Sequence, residues 1–225
     1  MSFSFSYLIE SLSYGIKYIH ISLLLAFLPL SIGTIFGTLI AISRIFKVPV
    51  LSHFFSIFIP IYNGIPGIVS LFIYNLIYLL FFKPTVTGVI WVAIFTFSLG
   101  QTTHLSESIR GAFLAIPKGQ YEACSSIGLT TFQSLKRIII PQVIPVIIPS
   151  FTNMTVGAIK NSSIVFAIGV TEVLNGATIP CGTTYSYLEG YVAAAIIYWI
   201  LNIIAENLLR IAEKKTAKYR TGEKI

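Results

Sequence analysis

Long apolar runs without charge alternate with short charged segments along this chain. The charge-free runs lie between Lys17 and Arg44, between Lys47 and Lys83, between Lys83 and Glu107, and between Arg137 and Lys160. Each is long enough for the roughly 20 apolar residues that an α-helix needs to cross a bilayer. The pattern therefore predicts an all-α integral membrane protein with about five transmembrane helices.

The charged residues, prolines and glycines between these runs mark the expected ends of the spans. We place them at about Tyr18–Ser43, Pro66–Phe82, Thr85–Glu107, from Ile138 onward, and Gly190–Leu209. The stretch Val50–Phe82 is longer than one straight span requires, and prolines and glycines near residues 60–67 interrupt it, so we expect a bent or interfacial segment there. The mixed segment Lys160–Glu189 is predicted to be a partly re-entrant outward loop.

Positive charge is distributed unevenly between the two predicted faces. Two of the cations, Lys17 and Lys83, fall on one face, twelve fall on the other, and Lys160 lies near or within the membrane. Because cytoplasmic loops carry the excess of Lys and Arg, we expect the N-terminus outside and the C-terminus in the cytoplasm. This gives an extracytoplasmic segment 1–17, a transmembrane domain 18–213 and a basic cytoplasmic tail 214–225.

Composition supports a membrane protein in contact with lipids. The chain of 225 residues is 55% hydrophobic and only 10% charged, whereas soluble domains have about 25% charged residues. The net charge of +7 is interpreted as an orientation signal, and no nucleic acid partner is expected. Cys124 and Cys181 fall on opposite predicted faces and so cannot form a bridge within one chain.

One polar patch, Glu122–Gly128, lies between the third and fourth spans on the predicted cytoplasmic face. Pro117 is a suitable helix entry and Gly128 a suitable helix stop, so a short helix lying along the membrane face is expected. The small residues Ala123 and Cys124 would permit the close approach of a partner. A helix seated in a groove of another protein is a common docking mode.

Motifs for catalysis are missing from the sequence. There is no G-x-x-x-x-G-K-[ST] loop, no nucleophile with a base and an orienting group, and no cluster with metal-ligand spacing. We therefore expect no catalytic residues, no metal and no cofactor in this chain, and no hydrolysis of ATP by it.

Several short motifs together resemble the permease branch of bacterial ABC importers that takes up polar amino acids. The motifs are Asn63-Gly64-Ile65-Pro66, Glu107 with Arg110-Gly111-Ala112, Pro117–Ala123, Ile140-Pro141-Gln142, Asn153, and Lys160-Asn161-Ser162-Ser163. The resemblance covers nearly the whole chain. The chain departs from the family pattern at four positions. The family usually has an arginine where this chain has Asn63 and Pro145. It usually has an acid in place of Asn161 and an alanine in place of Cys124.

The resemblance implies a type I ABC importer transmembrane fold in the bacterial cytoplasmic membrane. It further implies a second permease copy or paralogue, two ABC ATPase subunits that hold ATP and Mg, and an extracytoplasmic solute-binding protein. Residues 117–141 would form the coupling loop to the ATPase, with contacts through Gly119, Glu122, Ala123, Cys124, Gly128 and Pro141. The cysteine variant looks most like permeases for cystine and related amino acids, which makes cystine the preferred substrate.

Polar residues within the spans are candidates for the translocation path or for a seam between subunits. They are Asn63, Gln101, His104, Glu107, Asn153, Lys160, Asn161 and Ser162. Intramembrane charges usually face a bundle interior or water, so Lys160 is a candidate for the carboxylate of an amino acid, although it would also suit packing against a second subunit. Glu107 and Arg110 are three residues apart, so they could form an ion pair on one helix face. Alternatively, both charges simply lie at the membrane interface.

Two other functions remain open from the sequence. An ion-coupled secondary transporter would require paired intramembrane acids or an internal repeat, and neither is evident. A membrane scaffold without transport would need neither the polar patch nor the polar set around Lys160. Dependence of uptake on ATP, and purification together with an ATPase, would separate these alternatives.

Overall fold

The computed structural model of the protein describes residues 3–217, and residues 218–225 of the predicted basic tail lie outside the described part. The described chain is built of helices: α1 (Phe5–Lys17), α2 (Ile19–Ile45), α3 (Leu51–Asn63), α4 (Gly67–Phe81), α5 (Val86–Leu114), α6 (Lys118–Ser126), α7 (Thr131–Ser134), α8 (Ile140–Asn161), α9 (Val173–Thr178), α10 (Cys181–Thr184) and α11 (Tyr187–Ala217). A π-helical segment, Leu135–Ile139, joins α7 to α8, and a 3₁₀ segment, Ser162–Ile168, follows α8.

Four helical stretches are long and apolar enough to cross a membrane, and the bent pair α3 and α4 makes a fifth if it is counted as one span. The four are α2, α5, the continuous stretch Thr131–Ile168 and α11 up to Ile211. Large apolar side chains such as Leu80, Phe81 and Trp91 are exposed on the outside of this bundle. The prediction of an all-α membrane protein with about five spans is confirmed.

The broken span has the predicted position. Helices α3 and α4 meet at an angle of 102° across the break between Asn63 and Gly67. Pro66 precedes the first residue of α4, where its fixed φ and missing N–H suit a helix start. At the end of α3, the Asn63 Oδ1 accepts a 2.7 Å hydrogen bond from the Thr103 hydroxyl of α5. The break therefore lies against the middle of α5.

Helices α2 and α5 pack closely because α2 presents glycine to α5. A Cβ added to Gly33 would lie 2.5 Å from the Cβ of Gln101, and one added to Gly37 would lie 2.8 Å from the carbonyl oxygen of Thr102. Small residues four apart allow two membrane helices to approach at backbone distance. This contact fixes the height of Gln101 within the bundle.

Two boundaries differ from the sequence prediction. Helix α5 continues to Leu114 rather than ending at Glu107, and a continuous helical stretch begins at Thr131 rather than near Ile138. The expected loop 108–137 is consequently much shorter. The predicted outward loop, 160–189, contains the 3₁₀ segment, α9 and α10. Helix α9 packs against α1 and α11, and the 3₁₀ segment packs against α2, α4, α8 and α9.

Candidate functional site

Helix α6 ends in a turn that requires the glycine at position 128. The Leu129 N–H donates to the Cys124 carbonyl at 3.1 Å, and the Gly128 N–H donates to the Ser125 carbonyl at 3.0 Å. This pair of bonds is the Schellman arrangement, in which the residue after the helix adopts a left-handed conformation. Gly128 has a φ of +75°, so the predicted helix stop is confirmed.

Helix α6 is held against α5 and α8 by one aromatic residue. The Tyr121 hydroxyl donates to the Phe113 carbonyl at 3.2 Å, and its ring packs on the buried cluster of Ala112, Ile116, Ile139 and Val143. Burial raises the pKa of the Tyr121 hydroxyl above its ordinary value, so the group remains a donor at neutral pH. The helix is thereby fixed in orientation relative to both neighbouring spans.

The other residues of α6 divide into an exposed face and a buried one. Gly119, Glu122 and Ala123 are exposed, whereas Cys124 is only 2% exposed. The expectation that Cys124 permits the close approach of a partner is therefore wrong, since its side chain faces the core of its own chain. Pro141, at the start of α8, is partly buried, and the neighbouring Gln142 amide donates to the Gln120 side chain at 3.3 Å.

A cavity of about 210 Å³ lies beside the break between α3 and α4. It collects side chains from α2, α3, α4, α5 and α8 and from the 3₁₀ segment. The polar groups that line it are Tyr62, Asn63, Ser70, Thr96, Gln101, His104 and Asn161. Four of the residues predicted for a path, Asn63, Gln101, His104 and Asn161, are thus brought together.

The other predicted path residues lie elsewhere. Lys160 lines a separate groove with Asn202 and Glu206 of α11, while Asn153 is exposed on α8. Ser162 is buried and donates to the Ile159 carbonyl at 2.8 Å. Lys160 does not line this cavity, contrary to the prediction that it faces the path. It lies on the side of α8 that faces α11, whereas the next residue, Asn161, lines the cavity. A role for Lys160 at a seam between subunits stays a prediction.

Glu107 forms two ion pairs near the end of the bundle that carries α6. Arg110 donates to one carboxylate oxygen of Glu107 through Nε at 3.0 Å and Nη2 at 2.8 Å, and Arg44 of α2 donates to the other oxygen. The predicted Glu107–Arg110 pair is present. Arg44 is one of the twelve cations that the sequence places on the predicted cytoplasmic face, and it lies 63 positions before Glu107, so no local pattern indicated the contact.

Comparison with known proteins identifies the family. The model of the family described as "Binding-protein-dependent transport system inner membrane component" matches residues 21–218. The chain belongs to this family. The resemblance to ABC importer permeases stated from the motifs is thus confirmed.

Individual relatives of the permease match it over most of their length. It is 32% identical over 222 residues to the probable amino-acid ABC transporter permease protein PatM of Vibrio harveyi, covering 97% of this chain and 98% of the relative. It is 31% identical over 215 residues to the L-cystine transport system permease protein TcyL of Bacillus subtilis (strain 168), covering 91% and 87%.

A solved structure, the crystal structure of an amino acid ABC transporter with histidines, has the same architecture. It superposes with a TM-score of 0.87 at 26% identity, and the match covers 96% of this chain and 100% of that one. The expected type I importer fold is confirmed.

The permease also contains a buried carboxylate that the sequence did not reveal. Glu172 is 0% exposed and precedes α9, where its Oε1 accepts from the N–H groups of Leu174 at 2.9 Å and Asn175 at 3.2 Å. Its Oε2 accepts from the hydroxyls of Ser22 in α2, at 3.1 Å, and of Tyr198 in α11. One side chain therefore joins α2, α9 and α11. The only local signal was an acid just before a short helix.

Replacing Glu172 by alanine should destabilise the permease by about 3 kcal/mol. The change removes the cap of α9 and the carboxylate that accepts from the Ser22 and Tyr198 hydroxyls, and each of these three losses costs about 1 kcal/mol. The thermal unfolding midpoint in detergent measures the effect. Glu172→Gln retains one acceptor oxygen and should lose less, and Glu10→Ala, on the exposed face of α1, should lose little. Equal midpoints for Glu172→Ala and Glu10→Ala would contradict the structural role of the carboxylate.

Proposed function

We propose that this chain is the transmembrane permease subunit of an ATP-driven ABC importer for amino acids, and that its substrate passes through the cavity beside the α3–α4 break. The observation that carries the proposal is the convergence of Asn63, Gln101, His104 and Asn161 on one cavity. A broken helix whose ends face a polar cavity near mid-span is typical of substrate sites in transporters. Family membership supports transport, and the names of the relatives support amino acids.

The charge of the cavity favours substrates without net charge. Among the described residues that line it there is no Asp, Glu, Lys or Arg. The nearby charges are engaged elsewhere, since Glu107 is bound by two arginines and Lys160 lines the α11 groove. Transfer of a net charge from water into a neutral, partly buried site is unfavourable unless an opposite charge meets it. Amino acids with neutral side chains should therefore be preferred over arginine or glutamate.

Cystine satisfies this condition and remains the preferred substrate. It carries two ammonium and two carboxylate groups at neutral pH, so its net charge is zero. The neutral amide, hydroxyl and imidazole groups of the cavity can donate to a carboxylate and accept from an ammonium group. One relative of this chain is named as an L-cystine permease, which supports the same choice.

The face of α6 with Glu122 and Ala123 is proposed to receive movement from an ABC ATPase that holds ATP and Mg. It is exposed, while Tyr121 and Cys124 beneath it anchor the helix to the two neighbouring spans. The N-terminus would then lie outside and the C-terminus in the cytoplasm, as the charge distribution predicts. A second permease copy or paralogue and a solute-binding protein would complete the importer.

Competition for uptake tests the substrate class. In proteoliposomes containing the complete importer with its solute-binding protein, cystine should compete with labelled cystine at least tenfold more strongly than arginine or glutamate. Gln101→Glu places a carboxylate in the cavity, so it should weaken cystine transport and improve lysine and arginine as competitors. Gln101→Met, which adds no charge, should weaken transport without changing the order of competitors. Competition by arginine or glutamine alone would contradict cystine as the substrate.

A further inference from the structure

A second pocket lies at the end of the bundle that carries α6, on the side of α2 and α3. It has a volume of about 450 Å³ and opens widely to the outside. The C-terminal end of α2, the turn that follows it, the first residues of α3 and one side chain of α5 form its walls. Its polar lining consists of Arg44, Lys47, Ser52, His53, Ser56 and Arg110. The pocket shares no lining residue with the cavity beside the α3–α4 break.

The pocket has an excess of positive charge. Arg44, Lys47 and Arg110 line it, and among its described lining residues there is no carboxylate. Glu107, the acid that neighbours the pocket, is shared between Arg44 and Arg110. Three permanent cations against one carboxylate give these described groups a net charge of +2. A ligand with a negative charge fits this imbalance.

One of these cations has a hydrogen-bond donor that is not used. The Arg44 side chain is only 8% exposed, and its Nε is buried without an acceptor among the described residues. Buried polar groups nearly always have a hydrogen-bond partner. The Arg44 guanidinium also lines the pocket, and guanidinium groups bind phosphate or carboxylate oxygens through charge-assisted hydrogen bonds.

The surroundings of the pocket favour an amphiphilic anion. Phe46, Val48, Val50 and Leu51 are exposed apolar side chains in the same turn, next to the basic lining. A soluble anion gains nothing from such neighbours, whereas the acyl chains of a lipid do. Basic pockets between transmembrane helices bind anionic lipid head groups. We propose that this pocket binds the phosphate of an anionic phospholipid, with the acyl chains lying against the apolar turn.

Binding of defined lipids to the complete importer tests this site. The delipidated complex is titrated with phosphatidylglycerol or phosphatidylcholine, and bound lipid is counted by native mass spectrometry. The pocket variants are Lys47→Gln and the double variant Lys47→Gln, His53→Gln, which change exposed side chains. Lys47→Gln removes one permanent cation and should weaken phosphatidylglycerol binding about fivefold, and the double variant should bind no more tightly than Lys47→Gln. Lys47→Arg should restore it, and Lys136→Gln, an exposed lysine outside the pocket, should have no effect.

Three outcomes would overturn the proposal. Equal phosphatidylglycerol binding by wild type and the double variant would remove the pocket as the site. Equal affinity for phosphatidylcholine would show that the negative charge is not recognised. Displacement of the lipid by inorganic phosphate at comparable concentration would assign the pocket to a soluble anion instead. Unchanged thermal midpoints of the variants ensure that lost binding is not lost folding.

Discussion

Replacing Gly128 by valine should abolish ATP-driven uptake while the chain still inserts into the membrane. Gly128 has a φ of +75°, and an added Cβ would meet nothing within 4 Å, so the obstacle is the backbone conformation rather than space. A left-handed conformation costs an L-residue about 1–2 kcal/mol, and a β-branched one is a clear outlier there. The two hydrogen bonds that end α6 should therefore be lost.

The consequence for transport follows from the position of this turn. Glu122 and Ala123 form the exposed face proposed to contact the ATPase, and the turn at Gly128 holds that helix at its far end. If the turn opens, the face changes its angle relative to Tyr121, which remains anchored to α5. Movement of the ATPase would then no longer be transmitted to the spans. Uptake into proteoliposomes and ATPase activity of the complex should be measured together.

Asparagine and aspartate at position 128 distinguish the effect of backbone conformation on uptake from the effect of an added charge. Both tolerate the left-handed conformation better than other non-glycine residues. Gly128→Asn should therefore retain most of the uptake. Gly128→Asp has nearly the same shape but adds a negative charge beside the proposed contact face, and it should abolish uptake. Normal uptake by both the valine and the aspartate variants would remove the coupling role of this segment.

Features set by local sequence were predictable. Pro117 and Gly128 bracket α6, and the prolines and glycines near residue 64 mark the break between α3 and α4, because each acts through its own backbone. The charge-free runs predicted the spans because about 20 consecutive apolar residues suffice to cross a bilayer. Four polar side chains that line the cavity were also predicted, since amide and imidazole groups in apolar runs are conspicuous, whereas Tyr62, Ser70 and Thr96 were missed because such residues are common in membrane helices.

Contacts between distant segments were not predictable. Helical periodicity does not state which way a helix faces, so Lys160 and Asn161 looked equally suited to the path, although only Asn161 lines the cavity. Glu107 appeared to end a span because it is charged. Its pairing with Arg44 and Arg110 compensates that charge, and α5 continues for seven more residues. Glu172 depends on partners 150 residues earlier and 26 residues later in the chain.

Replacing Glu107 by glutamine should destabilise the permease by about 3 kcal/mol. That value is the lower end of the cost of removing one partner from a buried ion pair, and it is appropriate because Glu107 itself is 31% exposed. The Arg44 side chain would be left buried without a counter-charge. The unfolding midpoint of the detergent-solubilised chain should fall accordingly, while Glu122→Gln, an exposed acid at the same end, should change it little.

A double-mutant cycle of Glu107→Gln and Arg44→Gln measures the interaction free energy between these two side chains. The double variant should be less destabilised than the sum of the single variants, by about 1–3 kcal/mol, because it leaves no unpaired charge. Strictly additive losses would show that Glu107 contributes through packing alone.

The same Glu107→Gln variant should affect lipid binding in the opposite direction. Without the carboxylate, the pocket formed by Arg44, Lys47 and Arg110 gains one uncompensated positive charge. Phosphatidylglycerol should therefore bind more tightly, by about fivefold, although the chain is less stable. A general loss of structure would weaken both properties together. Opposite changes in stability and lipid affinity from one substitution would thus show that a single carboxylate balances the cations of the fold against the anion they can bind.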